Sequence, residues 1–186
     1  MPAEANEFIN RYNRWREAYS HSGHPTPQAP VFEDGRLLLR YGYPFDGWSG
    51  FVIEPCDGGY ALRSITTERR NGPLESPRAF FSDFELAGKY MIWLIGGDVR
   101  VNCGAESLEM LWGPSLAAGV TDIPIEKFKT RYELTNRAAV YMIINAGGIQ
   151  PENRLLVLSY DALDQALEDG LPDSVVSVLH RGDSTW

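Results

Sequence analysis

Two short turns in the first third of the chain dictate antiparallel pairing. Asp34-Gly35 separates Val31-Phe32 from Arg36–Tyr41, and both of its positions tolerate the positive φ that a two-residue hairpin demands. Pro55-Cys56-Asp57-Gly58-Gly59 separates the apolar runs 51–54 and 60–65 in the same manner. Strands joined by so few residues can only run antiparallel, because a parallel pair needs a long crossover. Further along, 128–134 alternates without a break. Phe128, Thr130, Tyr132 and Leu134 face one way and Lys129, Arg131 and Glu133 the other, the pattern of a half-buried strand. Residues 138–145 and 155–158 read as more buried strands.

Helical signals bracket these strands. In 4–20, Phe8, Tyr12, Trp15 and Tyr19 recur at spacings of four, three and four, while Arg11, Arg14 and Glu17 fall elsewhere on the circumference. Three prolines and a glycine then make 21–30 a linker. After a polar loop over 67–77, Ser82-Asp83-Phe84-Glu85 spells a capping box with Ser82 as the cap. Phe84, Ala87, Met91 and Leu94 continue as one apolar stripe. Gly96-Gly97 is the expected stop, with Val99-Arg100-Val101 a short strand beyond it. Residues 103–124 read as irregular, with a helical turn within 106–112. Ser159 caps a helix running to Asp169, with Leu163 and Leu167 inward and Gly170 ending it. Val175, Val176, Val178 and Leu179 fit either a last helix or a strand.

The sum is an α+β fold in a single domain, 1–186. An N-terminal amphipathic helix and Pro-rich linker (1–30) precede an α+β core (31–180), in which an antiparallel sheet built from hairpins meets a central helix and a C-terminal helix. With 186 residues and 44% apolar content, the chain can bury one sizeable core.

Seventeen Lys plus Arg against twenty-five Asp plus Glu leave a net charge of −8. Nucleic acid and anionic lipid want a basic face, so neither is expected as a partner. The same charge steers the chain toward a basic protein, or serves solubility alone. No apolar run approaches the roughly 18 to 20 residues that span a bilayer. The first seven residues carry neither a basic flank nor an apolar signal core. Two cysteines, Cys56 and Cys103, are no disulfide framework. The expectation is a cytoplasmic, reduced protein.

Catalytic machinery is not legible. His21 and His24 lie in the linker and His180 near the end, without the further ligands that a metal would want. Cys56 sits in a turn, and pairing with a histidine is left open because such partners meet only in space. Cys103 reads as a small packed apolar residue. No segment spells a P-loop or a dinucleotide-binding glycine pattern, and no two carboxylates stand out as an acid/base pair. No catalytic residue, metal or cofactor is therefore expected, and no enzymatic activity.

What remains is the stretch 40–51, RYGYPFDGWSGF, with five aromatics and three glycines in twelve residues. It either roofs the core or stands out as a stiff aromatic interface tip. Tyr and Trp give large contact area at low entropy cost and are enriched among binding hot spots. Around it, the order of elements from Val31 to Leu179 resembles bacterial immunity proteins that neutralise polymorphic toxins. The resemblance is nearest to the immunity factor of the tuberculosis necrotizing toxin, an NAD glycohydrolase. The words that carry it are the hairpin Asp34-Gly35-Arg36, the polar stretch Arg63-Ser64-Ile65-Thr66-Thr67-Glu68-Arg69, the helix ending in Gly96-Gly97-Asp98-Val99-Arg100, and the strand 155–158 before the helix near Ser159. This chain differs in a longer N-terminal helix and in a 41–50 connection richer in aromatics and bearing Pro44.

The resemblance implies a non-enzymatic antitoxin that binds a cognate and NAD-degrading protein toxin in the cytosol and occludes its active site. The buried strand faces over 128–134 and 138–144 separately suggest a monomer when free, with a covered sheet. The candidate toxin-binding residues are Tyr41, Gly42, Tyr43, Phe45, Asp46, Gly47 and Trp48. The competing reading is a small-molecule-binding enzyme or sensor whose pocket these aromatics line together with Cys56 or a histidine.

Overall fold

The computed structural model describes residues 5–68 and 72–181. Among these residues eight strands form one sheet in the order β1-β2-β3-β4-β5-β8-β7-β6, with every neighbouring pair antiparallel. They are β1 Val31–Glu33, β2 Arg36–Tyr41, β3 Ser49–Cys56, β4 Gly59–Thr66, β5 Leu74–Phe81, β6 Val120–Glu126, β7 Lys129–Leu134 and β8 Arg137–Ile144. Asp34 and Gly35 turn the first hairpin at φ 51° and 78°, in the left-handed region that these two residue types tolerate. The outer edges are blunted. β1 has three residues, and β6 carries Pro124 beside a register shift, so neither offers a long flat ladder to another chain.

The helices are α1 Ala5–His21, α2 Phe84–Asn102, α3 Leu108–Trp112, α4 Tyr160–Glu168 and α5 Asp173–Leu179, with a 3-10 helix over Pro151–Leu156. They share one core with a single face of the sheet, which contributes Leu37, Leu39, Ile53, Leu62, Phe81 and Met142. α1 lays Phe8, Tyr12 and Trp15 into that core. Its polar side is tied to α4: Arg11 donates to Asp164 at 2.5 Å and to Asp161 at 2.6 Å, and the Trp15 indole donates to Asp164 at 2.8 Å. Among the described residues no helix is long and apolar enough to cross a membrane.

α2 is the central helix and is buried around most of its circumference rather than along one stripe; Leu86, Tyr90, Ile92, Trp93 and Ile95 are inside as well as Phe84, Ala87 and Met91. Leu94 is only half-buried. Its cap is Asp83, whose carboxylate accepts from Leu86 N at 2.9 Å, and not Ser82. Ser82 instead donates to Asp83 at 2.9 Å and accepts from Tyr141 N at 3.0 Å, holding β8 to the start of the helix.

Gly96-Gly97 does not end α2. A Cβ on Gly96 would lie 2.6 Å from Leu167 Cδ1, so this glycine lets α4 pack close while the helix runs on to Asn102. Val99-Arg100-Val101 is accordingly helix, not strand. Arg100 is 3% exposed and donates to Glu106 O at 2.7 Å, Leu167 O at 3.0 Å, Ala166 O at 3.3 Å and Asp169 O. It satisfies the free carbonyls that end α4.

Other expectations also need correction. The polar loop placed at 67–77 gives way to β5 at Leu74; its residues 69–71, like Glu4 at the helix start, lie outside the described residues. The apolar run 155–158 is no strand: Leu155 and Leu156 are buried as the end of the 3-10 helix that Pro151 opens. A short apolar run is the same signal in either conformation. β6 emerges from the stretch read as irregular, where Pro124 disguised it. Phe128 turns between β6 and β7 at φ 62° and is 65% exposed, while Thr130 and Tyr132 face the core as their alternation requires. The last apolar segment is a helix, and Ser159 caps α4 by accepting from Ala162 N.

Candidate functional site

The connection from β2 to β3 projects beyond the sheet. Gly42 and Gly47 adopt φ of 74° and 81°, and Phe45 N donates to Gly42 O at 3.0 Å, so the chain reverses tightly across the cis Tyr43–Pro44 peptide. The base of the loop is tied down. Trp48 O accepts from both Thr67 N and Thr67 Oγ1 at 3.0 Å, joining the connection to the end of β4.

The aromatics divide into three roles. The Trp48 ring covers Leu38, Val52 and Ile65, a small apolar cluster on the sheet face away from the helices. Tyr43 meets Trp48 edge to face, with ring centroids 5.7 Å apart. The Arg40 guanidinium lies 4.8 Å from the Tyr43 ring and 5.5 Å from the Trp48 ring, while pairing with Glu33 at 2.8 Å. Tyr41 points the other way. Its hydroxyl receives a bond from Tyr12 at 3.2 Å, and its ring meets Tyr19 and Phe51 edge to face. Burial raises the Tyr41 phenol well above its usual range and pushes Tyr12 up to about 12, so this pair stays protonated at neutral pH.

The outermost part is therefore Gly42, Tyr43, Pro44, Phe45, Asp46 and Gly47, with Phe45 76% and Tyr43 41% exposed. Of the seven candidates, Tyr43, Phe45 and Asp46 form the ridge, Gly42 and Gly47 shape it, Trp48 supports it, and Tyr41 anchors its first strand. The Glu68 side chain sits beside Gly47, so the ridge presents apolar rings next to carboxylates. It offers contact area and hydrogen-bond acceptors, and no nucleophile.

The other candidates lie apart. Cys56 is exposed where β3 turns into β4. His21 Nδ1 is 3.0 Å from Glu17 O, the His24 ring rests 5.5 Å from that of Tyr19, and His180 Nε2 is 2.9 Å from Glu168. Burial pushes the half-buried Cys103 thiol up, which fits a packed residue. No group of three or more His, Cys, Asp or Glu able to hold a metal occurs among the described residues. An apolar pocket of about 200 Å3 does exist, lined by Phe32, Leu37, Ile53, Pro55, Tyr60 and Phe84, but none of the ridge aromatics contributes to it.

Sequence reasoning missed the sheet face on which Trp48 rests. Arg36 pairs with Glu54 and Glu75, Arg63 with Glu54, and Arg131 with Glu133 across that face. The alternation in 128–134 marked Arg131 and Glu133 as outward, and among the described residues the helices all pack on the opposite face.

No family model matches the chain, and no curated protein does. Among solved structures the chain is similar to Rv3902c from M. tuberculosis, with a TM-score of 0.60, 16% identity, and coverage of 83% of this chain and 87% of that one. At that identity the likeness is one of fold alone, extending over most of both chains.

Proposed function

We propose that the protein is an immunity protein, which binds a cognate protein toxin in the cytoplasm and occludes its active site with the ridge 42–47. The observation that carries this reading is the ridge itself. Two large rings stand in water, at 76% and 41% exposure, on a loop whose base is fixed by hydrogen bonds and ring contacts. Exposed aromatics on a stiff support lose little entropy on binding, and that is what a hot spot needs. The reading is further supported by the net charge of −8, which favours encounter with a basic toxin. An NAD-degrading toxin is the target which the sequence resemblance to toxin-immunity proteins implies. Inhibition is steric: a ring seated in the cleft excludes substrate, and no bond is made or broken by this chain.

Co-expression tests it. The reading frame adjacent to this gene is examined for a C-terminal toxin domain, and that domain is expressed in a susceptible host with and without the protein. Survival only in its presence is the expected result. Equal killing in both cases refutes the reading.

A further inference from the structure

Among the described residues all helices lie on one side of the eight-stranded sheet, and the opposite face carries none. Side chains of opposite parity to the core line it: Leu38, Val52 and Ile65 under Trp48 toward β2–β4, and Phe80, Tyr141 and Arg131 toward β5, β8 and β7. The latter three make a stack. Phe80 and Tyr141 lie 5.7 Å apart at 23°, and the Arg131 guanidinium sits 3.8 Å from the Tyr141 ring while Glu133 holds it at 2.7 Å. Arg40 repeats the arrangement over Tyr43 and Trp48 at the other end.

We propose that this bare face, continuous with the ridge through Trp48, is the main docking surface for the same partner, a folded protein domain of net positive charge. The proposal rests on the reading of the protein as a toxin binder and adds where most of the contact lies. A ridge of six residues is too small for tight binding alone. Eight strands at about 4.8 Å spacing and about 20 Å in length frame a face on the order of 700 Å2; Leu38, Val52 and Ile65 are already buried beneath Trp48, so a partner would meet the Trp48 roof and the open strands β5, β8 and β7 together with the ridge, against about 800 Å2 per partner in a standard interface.

Composition agrees. Arg, Tyr and Trp are the residue types that dominate interface energetics, and here they are already stacked and ion-paired, so little ordering remains to be done on binding. Charge selects the partner. Arg36, Arg40, Arg63 and Arg131 are each matched by a glutamate from Glu33, Glu54, Glu75 and Glu133, so these pairs add no net charge to the face. The whole chain's −8 repels a second copy and attracts a basic domain.

The test measures binding of the toxin domain from the co-expression experiment, inactivated in its catalytic site, to purified full-length protein by calorimetry. Tyr141→Ala removes the centre of the second stack. The paired exchange Arg131→Glu with Glu133→Arg keeps the internal ion pair and reverses its polarity, so it decides the matter should Tyr141→Ala melt early. Met110→Ala, 70% exposed on α3 in the helical layer, is the control. Each face variant is expected to weaken binding by about 10- to 30-fold, with Met110→Ala unchanged. Wild-type affinity in both face variants, alongside loss in Phe45→Ala, confines binding to the ridge and overturns the proposal while leaving the immunity reading standing. No binding by the wild-type chain overturns both. A wild-type dimer in sedimentation that Tyr141→Ala dissociates assigns the face to a second copy and also overturns it.

Discussion

Truncating Arg100 to alanine tests the structural logic most sharply, because this residue joins two halves of the helical layer. Its guanidinium emerges from the last turn of α2 and gives hydrogen bonds to the carbonyls of Ala166, Leu167 and Asp169, which end α4, and to Glu106 in the loop before α3. At 3% exposure it has almost no access to water. Hydrogen bonds from a charged donor contribute about 1.5 to 3 kcal/mol each, and removing one member of a buried set leaves its partners unsatisfied. The loss is not a sum, since water re-enters beside Glu106 and Asp169, so about 3 to 5 kcal/mol is expected. For a chain of 186 residues that is a fall of about 6 to 20 °C in melting temperature. Circular dichroism melts and urea unfolding report it, the urea midpoint moving at constant slope. Arg100→Lys keeps the charge without the planar fork and should lose about half as much. A melt of Arg100→Ala within about 2 °C of wild type would refute the idea that this side chain caps α4.

Three further outcomes follow from the packing. Gly88→Ala places a methyl 2.1 Å from the Tyr160 hydroxyl and 3.0 Å from Phe8 Cδ2; it should destabilise by about 1 to 3 kcal/mol in urea unfolding despite alanine's better helix propensity. Glu152 is 8% exposed with an unpaired Oε2, and burial, aided by nearby Glu109, raises its carboxyl above the usual range. The ionised form therefore costs stability above the folded-state pKa, a cost relieved as pH falls through that value. Glu152→Gln should melt higher than wild type near neutral pH, with the gap closing near pH 4. Trp48→Ala uncovers Leu38, Val52 and Ile65, so it should lose about 1 to 3 kcal/mol of stability as well as affinity, whereas Tyr43→Ala should melt close to wild type.

The hairpins were readable because a two-residue turn is a local signal, and the helix patterns of α1 and α4 because their burial is one-sided. Where the reading failed, a tertiary contact had overruled a local rule. Gly96 looks like a helix stop, yet serves the approach of Leu167, which lies 71 positions away and leaves no mark nearby. Pro124 argues against a strand except on an edge, and that β6 is an edge is known only from the strand order. The Val-Arg-Val run after Gly-Gly pointed to a strand, but the helix continues through it and Arg100 finds its partners on α4.

The candidate site was partly legible for the same reason. A glycine-rich aromatic stretch between two strands announces a loop, and sequence gave its composition correctly. Which rings face water depends on the strand register: Tyr41 pairs with Ser49 and falls on the helical face, where Tyr12 meets it, while Tyr43 and Phe45 lie beyond the last pair. The expectation of a covered sheet was wrong: the outward Arg131 and Glu133 of β7 meet no helix among the described residues, and the polar side of their alternation was the local sign of it.

The central claim is that the ridge fills a toxin's active-site cleft, and Phe45→Ala tests it most directly. Phe45 is 76% exposed and makes no core contact, so its truncation should leave the melting temperature unchanged. If the ring sits in the cleft, the variant should bind the toxin domain at least about 30-fold more weakly in calorimetry and fail to inhibit its catalysis at concentrations where the wild-type chain is saturating. Full inhibition by Phe45→Ala at wild-type affinity would contradict the claim.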